Sequence, residues 1–134
     1  MQVNIPKIVK KIELKGYAPE FGDACLEVWV NPPVRVLERL RMAKQKVYEL
    51  NIPKRELTPE EKSNIEAVIH ESYEEQMVVY AELLGQGSDE TRLGVDELKQ
   101  MVDGTVDSDP MFWGWVQAQI VELINDHRGT AKKG

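Results

Sequence analysis

Two consecutive prolines, Pro32 and Pro33, follow a run in which Leu26, Val28 and Val30 alternate with Glu27, Trp29 and Asn31. A period of two is the pattern of a strand with one buried face. The prolines remove two backbone donors, so a ladder has to stop there, and the fixed φ of proline suits the first position of a helix. The chain therefore passes straight from strand to helix.

Upstream, residues 1–7 read as an edge-lying lead-in, because Pro6 would interrupt a central ladder. Ile8 to Leu14 reads as a second strand, with Ile8, Ile12 and Leu14 on one face and Val9 and Lys11 on the other. Between the strands, Gly16 to Asp23 carries two glycines and a proline and reads as a loop. The expectation is an antiparallel β-hairpin over residues 8–30. Two strands are marginal in water, so their apolar face needs a helical layer, and neighbouring copies could extend the sheet.

Downstream, Val34, Leu37, Leu40, Ala43, Val47 and Leu50 recur at helical spacing, predicting a helix over about 33–50 that Pro53 brings to an end. Thr58-Pro59-Glu60-Glu61 has the form of a capping box and predicts a helix start. That helix runs over about 59–84, with Ile65, Ile69, Tyr73, Met77, Tyr80 and Leu84 along one side and Val68, Ser72 and Gln76 beside them. A shorter amphipathic helix follows over 95–102, carrying Val95, Leu98, Met101 and Val102. Ser108 or Asp109, followed by Pro110, starts a last helix over 110–127 that Gly129 closes. The predicted fold class is α+β, an N-terminal β-hairpin packed on a bundle of three to four helices. At 134 residues it is expected to form a single domain.

The charge balance, 17 basic against 23 acidic residues and a net charge of -6, argues against a binder of nucleic-acid backbones. Basic residues cluster only at Lys7 to Lys15, Lys44 to Lys46 and Lys132-Lys133, which read as solvated faces and a terminus. Cys25 is the one cysteine, so no internal disulfide is possible, and a reducing compartment is expected. Neither a signal-peptide core nor a membrane-length apolar run is visible, so the expected location is the cytoplasm.

Candidate chemistry is sparse. Glu66, His70 and Glu74 lie one turn apart and could hold a metal, but the spacing does not match the Glu-x-x-His pair of di-iron bundles and reads as a solvated face. Asp103, Asp107 and Asp109 surround Gly104, without the residue order or terminal glutamate of a calcium loop. His127-Arg128 suits the carbonyls of a helix C-terminus. No phosphate loop, nucleophile elbow or cysteine pair is present, and the expectation is a binding protein rather than an enzyme, with no cofactor and no metal.

The first turns of the last helix, Met111-Phe112-Trp113-Gly114-Trp115-Val116, are apolar over more than one face. Trp113, Val116, Ile120 and Ile124 make one core stripe, while Phe112 and Trp115 lie off it. Aromatic anchors of that kind are typical of interfaces, so Phe112, Trp115 and the strand residue Trp29 are the candidate partner-binding residues.

The strand Ile8 to Leu14, the Tyr17-Ala18-Pro19-Glu20 loop, the Leu26 to Pro33 run and the helix after it resemble the tail assembly chaperones of long-tailed bacteriophages. The specific part of this resemblance covers residues of about 8–40; the acidic helical remainder fits only in general layout. It implies a protein of the infected host cytoplasm, absent from the mature virion. Such a protein would bind the tape-measure protein and keep it soluble during tail morphogenesis, until tail tube protein polymerises around it, and self-association is expected. It also implies a longer form made by translational frameshift, for which Ala131-Lys132-Lys133 could encode the slippery run. The rival readings are another phage morphogenesis or head-tail joining protein that stays in the virion, and a small enzyme with an unrecognised site.

Overall fold

A computed structural model of the chain describes residues 3–87, 94–103 and 109–133, with backbone alone over 130–133. The two alternating runs form β1 (Val9–Glu13) and β2 (Cys25–Trp29), an antiparallel pair with Ile12 opposite Leu26 and Val9 opposite Trp29. Their connection is built from two single 3-10 turns, Leu14–Gly16 and Pro19–Phe21. Gly22 ends the second at φ 60°, a conformation that favours glycine because it has no Cβ to clash. A bond from the Leu14 N–H to the Ala24 carbonyl, 3.1 Å, then closes the hairpin.

Asn31 lengthens this pairing beyond β2. Its side-chain oxygen accepts the Ile8 N–H at 2.7 Å and its amide donates to the Pro6 carbonyl at 2.9 Å. An amide side chain thus takes the place of a peptide group where Pro32 and Pro33 cannot donate. Pro33 itself stands just outside the helix, at φ -65° and ψ 156°.

Four helices follow among the described residues: α1 (Val34–Tyr48), α2 (Pro59–Leu84), α3 (Val95–Asp103) and α4 (Pro110–Lys133). The fold is α+β, as the sequence predicts. The chain divides into two compact units, one made of residues 33–80 and the other of 1–32 with 81–134.

In the unit of residues 33–80, α1 and the first part of α2 form an antiparallel helical pair. Ser72 donates its hydroxyl to the Ala43 carbonyl at 2.5 Å and accepts from the Gln76 amide at 3.0 Å. Arg39 bonds Glu75 at 2.7 Å on one side of that contact and Lys46 bonds Glu71 at 2.9 Å on the other. Small side chains at 43 and 72 permit the close approach. The expected stripes shift accordingly. On α1 it is Val36 that is buried and Val34 that is exposed, while on α2 Ser72 is buried and Ile69 is 45% exposed.

Thr58 and Glu61 make both bonds of the capping box: the Glu61 N–H donates to the Thr58 hydroxyl at 3.1 Å and the Thr58 N–H to the Glu61 carboxylate at 3.0 Å. Arg55 grips the same carboxylate with two bonds of 2.8 Å. Those guanidinium bonds, with the Thr58 amide second, hold the Glu61 carboxyl at about 2. Thr58→Ala should destabilise this unit by about 1 kcal/mol, the typical value of a helix cap. Urea unfolding checks this; an unchanged midpoint would mean that water replaces the hydroxyl.

In the other unit, the sheet buries Ile12, Leu26, Val28 and Val30 on one face and Trp29 on the opposite one. Helix α4 packs against β1 and α3, and buries the expected stripe Trp113, Val116, Ile120 and Ile124. Its C-terminal end corrects an expectation. The helix continues through Gly129 to Lys133, so His127 and Arg128 lie inside it and Ala131 to Lys133 are helical. Gly22 is the one glycine with positive φ among the described residues, so Gly129 has not taken the left-handed turn of a C-cap.

Candidate functional site

Asp109 starts α4. Its carboxylate accepts the Met111 N–H at 3.0 Å and its carbonyl accepts the Phe112 N–H at 3.1 Å, the expected cap before Pro110; Ser108, the alternative cap, lies outside the described residues. The same carboxylate accepts the hydroxyl of Tyr17, from the hairpin connection. This bond pins the loop to the helix start and brings four aromatic rings together. Tyr17 meets Phe112 edge-on at 5.2 Å and Trp115 at 5.6 Å, Phe21 stacks on Phe112 at 5.3 Å, and Phe112 stacks on Trp115 at 6.4 Å. Offset and edge-on contacts at such separations are favourable between ring quadrupoles.

Gly16 completes the arrangement. A Cβ there would come within 3.2 Å of Trp115 Cζ2, tighter than an ordinary contact. The cluster remains accessible: Phe112 and Trp115 are half-buried and Phe21 is 38% exposed. Beside it, an open cleft of about 430 Å3 runs between β1 and α4, with Ile12, Trp115 and Leu123 supplying apolar wall and Lys11, Glu13, Lys15 and Gln119 the polar rim.

The bond to Asp109 raises the Tyr17 phenol above its ordinary 10.0, and the bond from Tyr17 holds the Asp109 carboxyl below its ordinary 3.8, helped by the Met111 and Phe112 amides. The two signs bracket a pH window. A lowered acid stabilises the fold above its ordinary value and loses that contribution as pH falls through the lower one. A raised phenol stabilises below its ordinary value and loses the contribution as pH rises through the higher one. The pin should therefore hold across neutral pH and open at both extremes. In an NMR titration of the Tyr17 ring, Asp109→Asn should move the phenol inflection down toward 10.0; an unmoved inflection would show that the pin is absent in solution.

Of the three residues singled out from sequence, Phe112 and Trp115 come together, whereas Trp29 sits apart on β2 and is 6% exposed. Tyr17, Phe21 and Gly16 were not anticipated. The available signal was two aromatics flanking Pro19 in the Gly16 to Asp23 loop, whose other residues are glycine, alanine and acidic. His70 is exposed and lies 3.7 Å from Glu74. No group of three potential metal ligands occurs among the described residues, and Asp107 lies outside them. Cys25 is half-buried at the start of β2. No helix among the described residues is long and apolar enough to cross a membrane. Comparisons with protein-family models, with curated proteins and with solved structures find no match to this chain.

Proposed function

We propose that this chain is a binding protein of the phage tail assembly chaperone kind, which covers apolar stripes of a tape-measure protein in the host cytoplasm until tail tube protein surrounds it, and which is absent from the mature virion. The observation that carries the proposal is the accessible aromatic cluster of Phe21, Phe112 and Trp115, held in place by the Tyr17 to Asp109 bond. Such rings supply large apolar contact with little loss of side-chain freedom, as the anchor of a helix-binding surface requires. Trp29 is left out of that surface because it is buried. The resemblance over residues 8–40 supplies the partner class, and the net charge of -6 suits a protein that must keep an apolar client soluble.

Co-expression with a tape-measure protein tests this. The wild-type chain should hold the client in the soluble fraction and co-purify with it, and Phe21→Ser with Phe112→Ser should abolish both while circular dichroism stays helical. Because Phe112 also packs on Tyr17, Phe21→Ser alone is the control that leaves the helix face untouched, and it should weaken capture. Capture unaffected by either variant would overturn the site. Detection of the chain in purified particles by mass spectrometry would overturn the chaperone reading in favour of a head-tail joining component.

A further inference from the structure

Among the described residues strand β1 has one neighbouring strand, and its other edge is unpaired. Which main-chain groups face that edge follows from the ladder. The Val30 N–H donates to the Ile8 carbonyl at 2.9 Å and the Leu14 N–H to the Ala24 carbonyl at 3.1 Å. Hydrogen-bonded pairs recur every second residue, so Lys10 and Ile12 also turn their peptide groups toward β2, while Val9, Lys11 and Glu13 turn theirs away. Among the described residues, no main-chain hydrogen bond is made on that side. An unpaired edge of this kind is a template for another strand.

We propose that the occupant is a second copy of this chain, whose β1 adds antiparallel to this edge about a twofold axis at Ile12, making a four-stranded sheet. The choice of register rests on charge. Outward-facing residues must pair with outward-facing residues, and of the centres this allows, Lys10, Lys11 and Ile12 pair more than one residue of the strand. Centring on Lys11 would set it against the partner's Lys11, and centring on Lys10 would set it against the partner's Lys10; like charges directly opposite are unfavourable. Centring on Ile12 sets Lys11 against the partner's Glu13 and Glu13 against the partner's Lys11, so two opposite-charge pairs form by symmetry.

The same register puts Ile12 opposite the partner's Ile12 on the face that is already apolar, beside the α4 row Trp115, Gln119 and Leu123 that lines the cleft along this edge. Glu13 is available for the exchange. Its neighbour within the chain is Lys15 at 3.8 Å, a long and exposed contact of little energetic weight. The proposal rests on the strand edge and not on the proposed function, although Trp115 borders both surfaces.

Sedimentation equilibrium across a concentration series, with variants Lys11→Glu and Glu13→Lys, tests it. The wild-type chain should dimerise. Each variant alone places like charges opposite one another twice and should weaken the dimer by about tenfold or more. An equimolar mixture of the two variants should recover wild-type association, because the heterodimer restores both opposite-charge pairs. Lys11 also stands opposite Glu27 within the hairpin, so Lys11→Glu carries a risk to the fold. Amide hydrogen exchange of the wild-type chain avoids that risk, since the Lys11 and Glu13 amides should become protected as concentration rises. A wild-type chain that stays monomeric, a dimer that Glu13→Lys leaves unchanged, or a dimer without protection at Lys11 and Glu13 would each overturn the proposal.

Discussion

Replacing Trp29 with alanine should lower the unfolding free energy by about 3–5 kcal/mol, the usual cost of deleting a large buried aromatic. That is a large share of the roughly 5–15 kcal/mol that holds a small protein together. Trp29 ends β2, lies opposite Val9 and is 6% exposed, and the ammonium of Lys7 sits 4.8 Å from its ring centre. Lys7 is tethered in turn by a 2.6 Å bond to Gln86. One part of the side chain works against stability: the indole N–H is buried without an acceptor among the described residues. Trp29→Phe keeps most of the apolar volume and removes that donor, so it should recover most of the loss. Urea unfolding of both variants checks this, and an alanine variant with the wild-type midpoint would mean that the sheet face around Trp29 contributes no packing.

Ala43→Leu should cost about 1–3 kcal/mol by overpacking the α1–α2 contact made at Ala43 and Ser72. Ala43 is 1% exposed and its carbonyl accepts the buried Ser72 hydroxyl at 2.5 Å. Three added carbons leave the helices no way to keep that distance. The Ser72 hydroxyl and, beside it, the Gln76 amide would then lose partners, as well as the flanking Arg39 to Glu75 and Lys46 to Glu71 pairs. The comparison variant is Ser72→Ala, which removes one buried hydrogen bond without adding volume and should cost about 1 kcal/mol. Denaturant unfolding should therefore rank Ala43→Leu below Ser72→Ala; the reverse order would mean that the hydroxyl, not the small volume at position 43, sets the helix approach.

Local chemistry was legible without a fold. The switch at Pro32-Pro33 follows from missing donors, and the start of α2 from a bond pattern confined to Thr58 through Glu61. The hairpin pairing and the α4 core stripe likewise follow from periods that a single element carries by itself. Facing choices were less secure. A line drawn through α2 at every fourth residue turns by about 40° with each step, so the row from Ile65 through Ile69 and Tyr73 drifts off the buried side. Contact with α1 selects Ser72 instead and leaves Ile69 45% exposed. Gly129 looked like a stop, but a glycine ends a helix only when its backbone turns left-handed, and here the helix continues to Lys133.

The candidate site was divided in the same way. Sequence alone marked Phe112 and Trp115 as apolar and off the core stripe, because helical spacing reports which residues share a face. It could not say what that face meets, since Tyr17 and Phe21 arrive from a loop more than ninety residues away in the chain. Only the tertiary structure decided that those rings stack on one another, that Asp109 caps a helix and holds Tyr17 with one carboxylate, and that a Cβ at Gly16 would crowd Trp115. The physical reason is that periodicity and capping are encoded within a few residues, whereas the pairing of faces is settled by shape and charge between segments that meet only after the chain has folded.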